Sequence, residues 1–91
     1  MLVLIVYDIP DNKRRTKLAT FLKGYGRRVQ RSVFECFISL DEMKKLHQKV
    51  VTRVKPHEDN VRFYWIPADA VPRSLTIGSD RPEPPARFYI I

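Results

Sequence analysis

Asp8 is the residue whose setting most suggests chemistry. It closes an unbroken apolar run, Leu2 to Tyr7, and is followed by Ile9 and Pro10. A carboxylate in that place emerges at the rim of whatever the run builds, where its oxygens can meet a hard divalent cation such as magnesium. One carboxylate is a poor site, because magnesium takes near-octahedral oxygen coordination, commonly from one or two carboxylates, several waters and substrate phosphates. A second copy of the chain, with its own Asp8 near a shared axis, would help to complete it. The plainer alternative is that Asp8 starts the turn into Pro10 and helps to cap the helix that follows.

Phosphate is the second theme. Seventeen Lys and Arg against ten Asp and Glu leave a formal net charge of +7 in 91 residues, which points to a polyanionic partner. The distribution says more than the total: between residues 13 and 31 stand Lys13, Arg14, Arg15, Lys17, Lys23, Arg27, Arg28 and Arg31, with no acid among them. Such a run can equally be a solvated face. Its one-sided placement favours nucleic acid, and Ser32, next to Arg31, either hydrogen-bonds a phosphate or satisfies a turn. His47 and His57 are poor general bases by position, one beside a helix's apolar stripe and the other in a polar link. A hydrolytic reaction would therefore rely on a metal to activate water. Cys36 lies within an apolar strand face and reads as a small buried hydrophobe.

The elements that must position these residues follow from periodicity. Leu2 to Tyr7 has no polar alternation and reads as a central strand covered on both faces. Pro10 and Asp11 open a helix whose Leu18, Phe21, Leu22 and Tyr25 share one face, and Gly24 and Gly26 end it through left-handed backbone angles. From Arg27 to Leu40 the side chains alternate, with Phe34, Cys36, Ile38 and Leu40 on one face and a reversal near Arg31 and Ser32 dividing two strands. Ser39 and Glu42 form a capping box, with Asp41 as an alternative cap, before a helix striped by Met43, Leu46, Val50 and Val54 and stopped by Pro56. Val61 to Ile66 is a fourth strand, closed by Pro67. The order βαββαβ gives a four-stranded antiparallel sheet with both helices on one face, the α+β ferredoxin-like arrangement.

The rest of the chain does not suit a closed monomer. Leu75-Thr76-Ile77-Gly78 reads as a short fifth strand, and after Pro82-Glu83-Pro84-Pro85 the sequence ends in Phe88-Tyr89-Ile90-Ile91. The expected organisation is one domain over residues 1–80, with a Pro-rich tail over 81–91 packing on a dimer partner. A helix-on-one-side sheet leaves its other face open, and a second copy would cover it while pairing the terminal segments. We therefore expect a twofold homodimer; a tail folded over its own sheet is the alternative. One cysteine cannot form an internal disulfide, there is no zinc-type Cys or His spacing, and the apolar start is too short to span a bilayer and lacks the basic flank and cleavage site of a secretory leader. The expectation is a cytoplasmic chain that begins at Met1 and engages no membrane.

Several of these residues together resemble a known family. Tyr7-Asp8-Ile9-Pro10-Asp11, then Arg14-Arg15-Thr16-Lys17-Leu18, Phe21-Leu22-Lys23 with Gly26, and above all Arg28-Val29-Gln30-Arg31-Ser32-Val33-Phe34-Glu35 are similar to the CRISPR-associated protein two family. The likeness extends to Asn60-Val61-Arg62-Phe63-Tyr64 and Ile77-Gly78. Members are the smaller of the two core spacer-acquisition proteins and are described as metal-dependent endonucleases cleaving RNA or DNA. The resemblance implies a homodimer with exchanged fifth strands, a Mg2+ (or Mn2+) ion near the two first-strand aspartates, and assembly with the integrase protein on captured duplex DNA. It further implies that Asp8 is the metal ligand and Tyr7 its aromatic neighbour in catalysis. Arg15 and Arg28 fall where the family places phosphate-facing bases, and Phe34 lies in its Ser-Val-Phe segment. Lys17 departs from the arginine of some members, exchanging a bidentate contact for a point charge. Arg14, Arg15, Lys17, Arg27, Arg28, Arg31, Ser32 and Phe34 are thus the candidate nucleic-acid contacts.

Two other readings compete. A non-catalytic RNA-recognition domain shares the βαββαβ order and would stack bases on exposed aromatics, for which Phe63, Tyr64 and Trp65 are candidates. That class carries a glycine-aromatic pattern on its third strand, whereas Val33-Phe34-Glu35-Cys36-Phe37-Ile38 has no glycine and bears an acid. The other is an architectural dimer that clamps duplex DNA through its phosphates and cleaves nothing.

Overall fold

A computed structural model describes residues 1–84 of the chain. The elements run β1 (Leu2–Asp8), α1 (Asn12–Leu22), β2 (Arg27–Gln30), β3 (Val33–Phe37), α2 (Leu40–Val51) and β4 (Asn60–Ile66), followed by a 3-10 turn over Val71–Arg73. The strands form one sheet in the order β2-β3-β1-β4, with every neighbouring pair antiparallel. This is the expected ferredoxin-like topology, and the apolar β1 lies inside it, paired on both edges.

Register sorts the side chains by face. Ile5 stands opposite Phe34 and Phe63, and Val3 opposite Cys36 and Trp65, so these residues look to the same side. Val3, Ile5, Tyr7, Phe34 and Cys36 join Leu18, Ala19 and Leu22 of α1 and Leu46 and Val50 of α2 in a single buried cluster, which places both helices on one face. The other face holds Leu4, Val6, Val33, Glu35, Phe37, Arg62, Tyr64 and Ile66, none of them fully covered, together with Leu2, which stands opposite Phe37 and Ile66 and is buried. Among the described residues β1 is therefore fully sealed on the helix side and, beyond Leu2, only partly covered on the other.

Caps set the helix starts. The Asp11 carboxylate accepts the Arg14 backbone N–H at 2.8 Å, satisfying one otherwise orphaned donor. At α2 the capping box is reciprocal: Glu42 N–H donates to Ser39 Oγ at 3.1 Å, and Ser39 N–H donates to Glu42 Oε1 at 3.0 Å. These hydrogen bonds hold the Glu42 carboxyl below its usual range.

Four expectations change. Gly24 and Gly26 end α1 without left-handed angles, since Gly78 alone has positive φ among the described residues. Gly26 is required for a close approach: a Cβ there would collide with the Glu35 carbonyl oxygen and lie 2.5 Å from Cys36 Sγ. α2 ends at Val51, well before Pro56, so Thr52 and not the proline caps it, and Val54 packs on the core from beyond the helix. Leu40 is the first residue of α2 and exposed, not the last of the β3 face. Residues 75–78 form no strand in this single chain, and Leu75 and Ile77 are 88% and 102% exposed. The tail segment Phe88-Tyr89-Ile90-Ile91 lies outside the described residues.

Candidate metal and nucleic-acid site

Strand alternation sends the last two residues of β1 to opposite faces. Asp8 is exposed and stands opposite Asn60, the first residue of β4. Tyr7 is buried on the helix side, where its ring stacks on Phe34 with centroids 6.4 Å apart. Its N–H donates to the Ser32 carbonyl at 3.0 Å and its hydroxyl donates to the Arg31 carbonyl at 3.4 Å. The β2–β3 reversal is thereby fixed beside the end of β1. Burial pushes the Tyr7 hydroxyl above its ordinary value, and the nearby positive charges of Arg28 and Arg15 oppose that shift.

The basic run divides into groups with different fates. Arg14 is captured: its Nε donates to Asp59 Oδ2 at 2.6 Å, and its Nη2 donates to Asp59 Oδ1 and Glu58 Oε2 at 2.9 Å each. The guanidinium hydrogen bond holds the Asp59 carboxyl below its ordinary value, and the Lys55 N–H donates to the same carboxylate at 2.8 Å. Arg14 therefore belongs to the fold and not to a phosphate-facing surface. Arg15 ties the β1–α1 turn, donating to the Ile9 carbonyl at 2.9 Å and to Asn12 Oδ1. Arg28 secures the β2–β3 reversal through two hydrogen bonds to the Arg31 carbonyl, at 3.1 and 2.6 Å.

The remaining cations face solvent. Lys13 and Lys17 lie with Asn12 and Thr16 along a shallow open depression on α1. Arg31 is exposed at the reversal, with no side-chain hydrogen bond or ion pair among the described residues. Arg27 is exposed opposite Glu35 on the open face, where burial raises the Glu35 carboxyl and Arg27 opposes it. Ser32 is half-buried and contributes its carbonyl to Tyr7. Phe34 is fully buried, so it serves packing and cannot stack on a base.

Outside this rim the chemistry is quiet. His47 meets Phe63 edge-on at 5.4 Å, and the buried Cys36 thiol is pushed up to about 11 by desolvation, which keeps it protonated and inert. Among the described residues no three His, Cys, Asp or Glu groups come together to hold a metal, and no helix is long and apolar enough to cross a membrane. Asp8 presents an exposed carboxylate, with the oxygen-bearing Asn60 opposite it in register and also exposed. Sequence reasoning missed Asp59 and Glu58 as the partners of Arg14. The available signal was topological, because an acidic pair placed just before β4 must arrive beside the start of α1.

A family model described as CRISPR associated protein Cas2 matches residues 1–73. The chain is 43% identical over 94 residues to a CRISPR-associated endoribonuclease Cas2 1 of Synechocystis, covering 99% of this chain and all of that one. A CRISPR-associated endoribonuclease Cas2 of Thermus thermophilus is 40% identical over 78 residues, covering 86% and 83% of the two chains. Among solved structures, Streptococcus pyogenes Cas2 superimposes with a TM-score of 0.74 at 31% identity, over 86% of this chain and all of that one. A chain of a partial Cas6-RT-Cas1--Cas2 complex gives 0.74 at 36% identity, covering 93% and 94%.

Proposed function

The chain belongs to the CRISPR-associated Cas2 family, and on that premise we propose that it is a metal-dependent endonuclease acting on RNA or DNA phosphodiesters and a dimeric scaffold for the integrase on duplex DNA. One observation carries the catalytic reading: an exposed carboxylate, Asp8, closes an apolar strand beside a reversal bearing Arg28 and Arg31. The residues fit a magnesium or manganese ion as a half-site, to be completed by a second Asp8, by water and by phosphate oxygens. When bound, the ion supplies Lewis-acid polarisation of a phosphoryl oxygen and lowers the pKa of a coordinated water.

The chain's own groups do the rest. Arg31, Lys13 and Lys17 draw the phosphate backbone to the rim, and Arg15 and Arg28 hold the two turns that frame it. Tyr7, buried with its hydroxyl on the Arg31 carbonyl, orients the reversal and does not meet the scissile bond. The open face, with Leu4, Val6, Phe37 and Tyr64, is the surface that a second copy covers, and residues 75–78 are the strand that pairs in that assembly.

The deciding experiment replaces Asp8 with Asn and follows cleavage of single-stranded RNA and duplex DNA across a magnesium titration. Cleavage should disappear while duplex affinity is kept, since loss of a negative charge beside arginines cannot weaken phosphate binding. Undiminished cleavage by Asp8→Asn would refute the catalytic role and leave the scaffold. For the dimer, Val6→Asp should halve the mass seen by light scattering, and a wild-type chain that is monomeric at micromolar concentration would overturn that assignment. Phe34 lies in the core and cannot serve as a stacking platform, whereas Tyr64 and Trp65 are exposed and keep the RNA-recognition reading as the alternative.

A further inference from the structure

The ion pair between Arg14 and Asp59 joins segments 45 residues apart. The Asp59 side chain has no exposed surface, and that of Arg14 is 16% exposed. Both ends of the pair sit close in sequence to the rim described above. Asp59 directly precedes Asn60, which stands opposite Asp8 in the register of β1 and β4. Arg14 occupies the first turn of α1, whose cap Asp11 is reached from Asp8 through Ile9 and Pro10. A closed circuit results: Asp8 along the chain to Arg14, across the ion pair to Asp59, on to Asn60, and back to Asp8 by strand pairing. Arg15 braces it from within by binding the Ile9 carbonyl.

From this circuit we infer that Arg14 and Asp59 are positioning residues: their pair holds the Asp8–Asn60 end of the sheet in place and so sets the affinity of Asp8 for a divalent cation. The inference rests on the reading of Asp8 as a metal ligand. Strand ends fray unless something ties them, because the last residues of a ladder lack a neighbour on one side. A two-point guanidinium–carboxylate fork fixes orientation as well as distance, which a single hydrogen bond or a point charge does not. The fork here is further constrained by the Glu58 contact and by the Lys55 N–H on the same carboxylate. Supporting groups of this kind leave the ligand set unchanged yet alter how well it is presented.

A merely stabilising ion pair would lower the melting temperature and leave the cation affinity of the folded protein untouched, and that difference supplies the test. Manganese affinity is measured by water-proton relaxation on the full-length wild type, Asp8→Asn, Asp59→Asn and Arg14→Lys, well below each melting temperature. Amide hydrogen exchange is followed over residues 8–12 and 59–61. Asp59→Asn should weaken manganese binding about tenfold and speed exchange in both segments, while Arg14→Lys, which keeps the charge and loses the fork, should fall between it and wild type. Should Asp59→Asn fail to fold, the Arg14→Lys comparison decides alone. Manganese affinity within twofold of wild type in the folded variants overturns the positioning role, whatever happens to their melting temperatures. Retained affinity in Asp8→Asn marks failure of the metal reading itself, and the two failures are therefore distinguishable.

Discussion

The two faces of the sheet are built from the same strands and end differently. On the helix side Val3, Ile5, Tyr7, Phe34 and Cys36 are sealed beneath α1 and α2. On the other side Leu4, Val6, Val33 and Phe37 alternate with them and remain half-covered. Residues left half-covered on one face of an apolar strand would gain the remainder of their burial from the second copy proposed above. The largest expected effect separates the faces directly. Ile5→Ala should cost about 2–5 kcal/mol in urea unfolding, since it empties a packed site that cannot collapse freely. Val6→Ala should cost below about 1 kcal/mol at nanomolar protein and more at high micromolar, as the open face becomes occupied. Equal, concentration-independent losses would break the contrast.

Gly26 sharpens the same comparison at the edge of the covered face. Gly26→Ala should destabilise by about 1–3 kcal/mol, because the added methyl meets the Glu35 carbonyl and Cys36, and β2 must move away from its path. Gly24→Ala, whose Cβ would sit 3.5 Å from the Phe21 carbonyl oxygen in ordinary contact, is the control and should be near neutral. A melting curve for each suffices. Similar losses at the two glycines would indicate a helix-ending role shared by both instead of a close approach at one.

How much of this was legible in the sequence depended on the range of the interaction. The βαββαβ order, the Asp11 cap and the Ser39–Glu42 box are written in spacings of a few residues, and the structure has each of them. The role of Gly26 was misread because a sequence gives a glycine's freedom but not its neighbours. Arg14 was grouped with Arg15 and Arg28 as phosphate-facing, since its partner Asp59 lies far along the chain and only the return of β4 beside β1 brings them together. Phe34 had the same fault in reverse: a motif placed it among contacts, while alternation with Cys36 placed it in the core. Residues 75–78 carry strand-forming side chains, but a strand requires an edge to pair with, and the single chain does not fold one against them.

A smaller effect tests the clamp at the border between the faces. The folded state holds the Asp59 carboxyl below its ordinary value near 3.8, so its pairing stabilises the protein fully above about pH 4 and is lost as pH falls through the lowered value. Glu42 behaves in the same direction, from an ordinary value near 4.5. The melting temperature should therefore drop between pH 5 and pH 3, with Asp59→Asn flattening the acid limb more than Glu42→Gln. A wild-type curve that is level across that range would remove the clamp from the account.

The smallest effect concerns which cations belong to the fold and which to the surface. Arg14 and Arg31 carry the same side chain, and each lies in the acid-free run, yet one is surrounded by Asp59, Glu58 and Asp11 while the other is exposed. A cation already neutralised by carboxylates releases no counterion from a phosphate, whereas a free one does. Arg31→Gln should therefore lower the slope of log affinity against log salt by about 0.9 for duplex DNA, and Lys17→Gln by up to as much. Arg14→Lys, compared under conditions where it is fully folded, should leave the slope within error of wild type. A unit loss at Arg14 with none at Arg31 would reverse the assignment, placing the phosphate path along the start of α1 instead of the β2–β3 reversal.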